Sequence, residues 1–418
     1  MIASIIAVGS EMLTPFRVDT NSLAITERLN AIGCDVRVKT VVGDDIDELA
    51  RVLTVALDTT DLVICTGGLG PTEDDVTRDA AARVLGLPLD LHEAILERIR
   101  ARFARRGLEM ADINRRQAMV PRGATVLENA LGTAPGLWLE RGTTTLVLLP
   151  GPPREMTPML EAVIRDRLAP RTGGRGLFRR VLKITGRTES AVDAVAQPVY
   201  GAWTKSTAPI PITTTILAVM GQIELHLTAS ASSRAEADVA LDAAVGALVA
   251  ALGAAVYSID GRPLEAVVGD LLRRARWTVA AAESCTGGLL MSRLTAVPGS
   301  SAYVDRGLVC YSNQAKVDWL GVPQTIIDEH GAVSESVARA MAEGVRGRAS
   351  TNVGIGITGI AGPDGGTAEK PVGTVAIAVV TDGGADVRTF AFIGNREQVN
   401  YQSTQAAMNM LRLMLLGR

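Results

Sequence analysis

Four short segments in the last third of the chain carry residue types suited to attack on a carbonyl near a phosphate. The first is Ser284-Cys285-Thr286-Gly287-Gly288, directly after the apolar run Trp277–Glu283. A strand-to-helix turn of this kind presents a hydroxyl and offers backbone N–H groups to an anion. As a bare pattern it is also an ordinary helix cap. The second is Tyr311-Ser312-Asn313-Gln314-Ala315-Lys316. A serine needs a base to become a nucleophile, and the chain has only three histidines, His92, His226 and His330, none in a motif. A lysine desolvated in a pocket can serve instead, because burial lowers its pKa. Cys285 is the competing nucleophile, although a cysteine at an apolar strand end is more often inert packing. The third segment, Gly354 to Gly366, is a strand followed by a glycine loop. Thr358 would anchor a phosphate or ribose there, and N–H groups near Gly359 would stabilise an oxyanion. In the fourth, Gly394-Asn395-Arg396-Glu397-Gln398, Arg396 suits a phosphate fork.

A separate constellation lies near the start. Thr66-Gly67-Gly68-Leu69-Gly70-Pro71-Thr72-Glu73-Asp74-Asp75 follows the buried run Asp61–Cys65. Glycines after a parallel strand put N–H groups at its carboxyl end, where open α/β sheets bind ligands. Glu73, Asp74 and Asp75 offer oxygens to a hard divalent cation, or an acidic cap to the next helix. Gly9-Ser10-Glu11, Asp19-Thr20-Asn21, Gly43-Asp44, Asn129 to Gly136 and Pro150 to Met156 stand at other strand ends or loops and would line the same crevice.

The elements that must position these residues follow from hydrophobic period. Ile2–Val8 is a continuous apolar run, as a strand buried on both faces should be. A helix over 21–32, a strand over 36–42, a helix capped by Asp45 with the stripe Leu49, Val52, Leu53, Ala56 and Leu57, and a strand over 61–65 complete a β-α-β-α-β order. That order predicts a parallel sheet with helices on both faces. A strand over 145–149 and a helix over 152–168 close the segment. Arg171 to Arg187 holds six basic residues and no acid, with Gly173, Gly174 and Gly176 between them, and reads as a solvated linker at a domain boundary. Residues 180–259 predict a small α+β unit. The last third returns to α/β, with strands over 277–283, 304–311, 353–357 and 372–380, and a final helix over 398–416.

Composition bounds the function. The 418 residues suit two to four domains. Lys+Arg is 42 against Asp+Glu 45, and aromatics are 3%, which disfavours a nucleic-acid binder needing a cationic face or stacking platforms. Four scattered cysteines exclude a disulfide framework and a CxxC metal site. The start lacks a basic signal-peptide region, and the uncharged run 243–259 is too short for a confident span. A cytoplasmic protein is expected.

Residues 264 to 416 resemble the carboxy-terminal domain of the CinA (competence/damage-inducible protein A) family. The likeness rests on Ser284-Cys285-Thr286-Gly287-Gly288, Tyr311-Ser312-Asn313 with Lys316, Gly356 with Asp364-Gly365-Gly366, and Arg396-Glu397-Gln398-Val399. The resemblance implies a nicotinamide mononucleotide (NMN) deamidase without a cofactor. Ser284 would attack the amide, neutral Lys316 would take its proton, and Tyr311 would relay or orient it. Thr286, Gly287, Gly288, Asn313 and Gly359 would contact substrate, with Thr358 and Arg396 on the 5′-phosphate.

Residues 1–170 resemble the MoaB/MogA-like molybdopterin-binding fold in the version fused to CinA proteins, which implies metal-dependent hydrolysis of ADP-ribose to AMP and ribose 5-phosphate. Glu11, Asn21, Thr66, Gly67, Gly68, Gly70, Pro71, Thr72, Gly132 and Gly151 would bind substrate. Asp44, Asp74 and Asp75 would hold a divalent ion (Mg, Mn or Co). One departure is Thr14-Pro15-Phe16-Arg17, where a Leu-Gly pair is expected. Residues 171–256 resemble a KH-like module, but Gly186-Arg187-Thr188-Glu189 lacks a second glycine and Glu189 repels phosphate, so a structural or dimerising spacer is expected. The fold class expected is therefore α/β: two three-layer α/β domains with mostly parallel sheets, 1–170 and 257–418, joined by a small α+β domain. Expected partners are NMN and ADP-ribose, with no membrane, no direct nucleic acid, and a homodimer. The rival readings are a molybdopterin-binding module and a non-catalytic partner in DNA uptake or recombination.

Overall fold

The computed structural model describes residues 1–203 and 210–417. It falls into two compact units, Met1–Phe178 with Ala229–Val239, and Arg179–Thr228 with Ala240–Arg418.

The first unit contains strands β1 (Ile2–Val8), β2 (Asp35–Val42), β3 (Leu62–Thr66), β4 (Leu89–Leu91), β5 (Met119–Pro121), β6 (Thr125–Leu127), β7 (Gly136–Arg141) and β8 (Thr144–Leu149). Its helices are α1 (Asn21–Ala31), α2 (Ile46–Thr59), α3 (Thr77–Leu85), α4 (Glu93–Ala104) and α5 (Pro153–Val163). Six strands form one sheet in the order β2-β1-β3-β8-β7-β6. The pairs β1–β2, β1–β3 and β3–β8 are parallel, while β7 pairs antiparallel with both β8 and β6. β3 is buried throughout, as its apolar run requires. The Asp45 carboxylate caps α2 by accepting from the N–H groups of Asp47 and Glu48, both at 2.9 Å. Its predicted stripe, Leu49, Leu53, Ala56 and Leu57, is buried in the core. Each such leucine contributes about 1.5–3 kcal/mol of hydrophobic stabilisation.

A four-stranded sheet, β10-β11-β9-β12, comes from β9 (Gly176–Ile184), β10 (Ile212–Val219), β11 (Gln222–Ala231) and β12 (Val256–Ser258), with helices α6 (Glu189–Gly201) and α7 (Arg234–Leu252). The basic run 171–187 is therefore not a loose linker, since most of it is strand β9. Among its paired cations, Arg171 donates to Glu140 at 2.9 Å and Lys183 lies 3.2 Å from Glu224. Residues 234–255 are long and apolar enough to cross a bilayer by composition. Ala237, Leu241, Val245, Leu248 and Leu252 nevertheless form a buried stripe at helical spacing, as on an amphipathic helix packed against a core.

The rest of the second unit runs α8 (Leu264–Ala275), β13 (Val279–Glu283), α9 (Leu289–Thr295), β14 (Val304–Val309), α10 (Asn313–Leu320), α11 (Gln324–His330), α12 (Glu335–Ala349), β15 (Val353–Gly359), β16 (Thr374–Thr381), β17 (Gly384–Ala391) and α13 (Arg396–Leu415). The sheet order is β14-β13-β15-β16-β17. β13 is parallel to β14 and β15, but β16 is antiparallel to both of its neighbours. The parallel strands β14, β13 and β15 are extended at one edge by a hairpin, because only Asp382-Gly383 separates β16 from β17. A two-residue Asp-Gly connection permits a hairpin and nothing else. The buried Arg293 of α9 ties three helices together, donating to Glu265 at 2.9 Å, Thr404 at 2.8 Å and Gln405 at 2.7 Å.

Candidate functional sites

The end of β13 places Ser284. Glu283, the last residue of that strand, is buried, and its carboxylate accepts from the N–H groups of Gly288 (3.1 Å), Leu290 (3.0 Å) and Met291 (3.0 Å). A buried carboxylate with three N–H partners fixes the turn between strand and helix. It also occupies the start of α9, so that helix end is not open to a substrate anion. Gly287 and Gly288 adopt φ of 61° and 98°, which glycine tolerates and other residues resist.

Lys316 reaches the same turn from α10, whose N-terminus is capped by Ser312 Oγ accepting from Ala315 N at 3.1 Å. Its Nζ lies 3.1 Å from Ser284 Oγ and donates to the Tyr311 carbonyl at 3.3 Å. Lys316 is 2% exposed. Burial pulls its pKa below the ordinary lysine value, and the thiols of Cys310 and Cys285 oppose this more weakly. The lowered pKa and the distance both favour a base beside a hydroxyl. Cys285 is different: burial pushes its thiol up to about 12, so it stays protonated near neutrality.

Around this pair the expected residues sort unevenly. The Tyr311 phenol does not meet Lys316; only its carbonyl does. The phenol oxygen accepts from Arg396 Nη2 at 2.8 Å, and Arg396 Nη1 donates to the Gly362 carbonyl at 2.8 Å. Thr358 is 1% exposed and donates its hydroxyl proton to the Ala332 carbonyl at 2.8 Å, which leaves it a loop anchor rather than a free phosphate donor. Gly359 ends β15 opposite Val375 of β16, with no room for a side chain. Asn313 is exposed at the first turn of α10. Thr286 is buried and its hydroxyl has no hydrogen-bond partner among the described residues. In the turn itself, the N–H groups of residues 287 to 291 are all committed, to Glu283 or to the carbonyls of Ser284 and Thr286. Those of Cys285 and Thr286 have no oxygen partner among the described residues.

The amino-terminal constellation forms a cleft of about 550 Å³ lined by Glu11, Asn21, Asp44, Thr66, Gly67, Gly68, Gly70, Pro71, Asp74, Asp75 and Gly151, together with Gln117, Thr133 and Glu155. Thr72 and Gly132 stand just outside this lining. Asn21 Nδ2 cross-links two strand ends, donating to Thr66 Oγ1 at 3.0 Å and the Gly151 carbonyl at 2.7 Å. Gly132 N donates to Asn129 Oδ1 at 2.7 Å. Asp44 Oδ2 accepts from Ser10 N at 2.8 Å, and Asp74 is exposed.

Asp75 is neither a helix cap nor an open metal ligand. Its Oδ1 accepts from Gly70 N (2.7 Å), and its Oδ2 from Thr72 N (2.9 Å) and Thr72 Oγ1 (2.5 Å). No three His, Cys, Asp or Glu side chains gather into a metal-sized group among the described residues. The expected trio of Asp44, Asp74 and Asp75 therefore does not build a cation cage. Beneath the glycine loop lies Arg78, 1% exposed, donating to the carbonyls of Leu69 (2.7 Å) and Gly70 (3.1 Å). Burial holds its pKa down to about 10. No sequence pattern marked Arg78 or Gln117, since each lies outside the glycine motif in an unremarkable helical turn.

Comparison with known proteins covers both halves. Residues 261–415 match the CinA C-terminal domain family, and residues 4–170 match the Probable molybdopterin binding domain family. A CinA-like protein of Solibacter usitatus is 45% identical over 421 residues, covering 100% of this chain and 99% of that protein. A CinA-like protein of Koribacter versatilis is 44% identical over 420 residues, covering 100% of each. The crystal structure of competence/damage inducible protein CihA from Agrobacterium tumefaciens shares 40% identity, covering 36% of this chain and 95% of that one, with a TM-score of 0.33.

Proposed function

The chain belongs to the CinA family, and from that premise we propose that its carboxy-terminal domain is a serine amidohydrolase that converts NMN to nicotinate mononucleotide and ammonia. The observation that carries this reading is the 3.1 Å approach of a buried Lys316 amine to Ser284 Oγ. Neutral Lys316 accepts the hydroxyl proton as Ser284 Oγ bonds to the carboxamide carbon. The oxyanion is met by the N–H groups of Cys285 and Thr286, which in the free protein face only the Cys285 sulfur, with the Thr286 hydroxyl beside them. Lys316 returns the proton to the leaving nitrogen, and ammonia departs from an ester on Ser284. Water, deprotonated by the same amine, releases nicotinate mononucleotide. Arg396 and the Tyr311 phenol support the 5′-phosphate, while Thr358 holds the loop at Ala332.

The test is ammonia release from NMN by purified protein. Ser284→Ala and Lys316→Ala should each lower it by at least about 10²-fold, and Cys285→Ala should leave it near wild type. Survival of activity in Ser284→Ala with loss in Cys285→Ala would reverse the nucleophile.

For the amino-terminal cleft we propose hydrolysis of ADP-ribose to AMP and ribose 5-phosphate. The support is the glycine loop Gly67-Gly68-Leu69-Gly70, which lines the cleft at the carboxyl end of β3 and lets a pyrophosphate approach the backbone. No step is assigned to a metal, because Asp75 is already bonded three times. AMP formation from ADP-ribose, measured with and without a chelator, tests this. Binding of molybdopterin without any ADP-ribose turnover would favour the pterin-binding alternative.

A further inference from the structure

The second unit contains another cleft, of about 740 Å³, apart from the Ser284 turn. One wall is the Gly186-Arg187-Thr188 turn before α6 with Gln222 of β11. The other is the end of β17 and one face of α13, including Gln405 and Met410. Its size is that of a pocket for a small organic ligand. The aromatic rings of Phe390 and Phe392 line it, stacked on each other with centroids 5.3 Å apart and planes 6° from parallel. A flat ring face beside amide side chains receives a planar heterocycle well.

The charge of the lining has one sign. Its charged residues are Arg187 and Arg388, with no Asp or Glu among them. Arg388 is held by Asp386 through paired contacts of 2.8 and 2.9 Å. Arg187 is exposed and has no ion-pair partner among the described residues. Glu189, which would repel a phosphate, is the first residue of α6 and does not line the cleft. An aromatic floor, amides and one unbalanced guanidinium call for a ligand that is flat at one end and anionic at the other.

We propose that this cleft binds a nucleoside monophosphate, its base against Phe390 and Phe392 and its phosphate on Arg187. The site is separate from the deamidase turn and does not depend on the activity assigned there. Photolabelling of the whole protein with 8-azidoadenosine 5′-monophosphate, followed by peptide mapping, tests it. Label is expected on peptides carrying Phe390, Phe392 or Met410, and Arg187→Glu should lower it by about tenfold, the loss of one charge-assisted contact. Ala406→Trp, which fills the cleft, should lower it as well. If that variant misfolds, Arg187→Glu at its exposed position still decides. Absence of label from those peptides, or label unchanged in Arg187→Glu, would overturn the site. Displacement by a short oligoadenylate far more efficiently than by AMP would overturn the ligand class in favour of single-stranded nucleic acid.

Discussion

A lysine acts as a base only while it is uncharged, so the environment of one amine sets when the proposed deamidase works. Desolvation lowers the Lys316 pKa from its ordinary 10.5. Below the lowered value the amine is protonated and cannot take the Ser284 proton; above it, it can. The expected result is a kcat/KM for NMN that rises with pH and levels off at an inflection below 10.5. An inflection at or above that value would mean the amine is solvated during turnover. The same shift makes a stability prediction with a definite sign. The unfolded chain holds this proton more readily than the folded one, so the folded state is penalised below the lowered pKa. The penalty is relieved as pH rises from that pKa toward 10.5. Lys316→Met removes the buried amine altogether. It should abolish ammonia release, about 10²–10⁴-fold, without lowering Tm at pH 7. A clear loss of Tm would show that the side chain holds the fold rather than serving the chemistry.

At the scale of elements, the nucleophile is only as well placed as the turn that carries it. Glu283 joins β13 to α9 with one carboxylate and three N–H groups. Glu283→Gln keeps the shape but presents an NH2 group where backbone donors already point, leaving at least one donor unmet at about 1–3 kcal/mol. The expected outcome is a lower Tm and a kcat that falls more than KM changes, because Ser284 shifts while Arg396 stays. Equal loss in kcat and KM would place Glu283 nearer the substrate than the turn. This role was illegible in the sequence, where Glu283 reads as the last residue of a strand. The Ser284–Lys316 pairing was legible, since a chain with three histidines leaves few other bases for a serine. The apolar runs of β1, β3 and β13 announced themselves as well. β17 did not: it is a largely exposed edge strand with little apolar pattern, and its one signal was Asp382-Gly383. Asp75 shows a different limit. An acid just before a helix looks the same as a cap, a metal ligand or a loop fastener, and only its three donors decide.

At the scale of the whole chain, each site draws its machinery from one unit. Ser284, Lys316, Tyr311 and Arg396 belong to the second unit, whose core is built around β13, β15 and β16. The glycine loop, Arg78 and Asn21 belong to the first, with its own core around β1, β3 and β8. Neither set borrows a residue from the other, so changes in them should behave as independent perturbations. Ser284→Ala should abolish ammonia release and leave AMP formation from ADP-ribose unchanged. Arg78→Met should do the reverse: it removes two hydrogen bonds to the loop carbonyls and the charge beneath them. Arg78 carries no acidic partner in an ion pair among the described residues, so its loss strands no buried carboxylate, and the unit should still fold. In the double variant each activity should fall by the factor seen in the single variant that lowers it. A deamidase rate that changes in Arg78→Met would show that the two units exchange free energy, and the chain would then be one coupled enzyme rather than two catalysts in tandem.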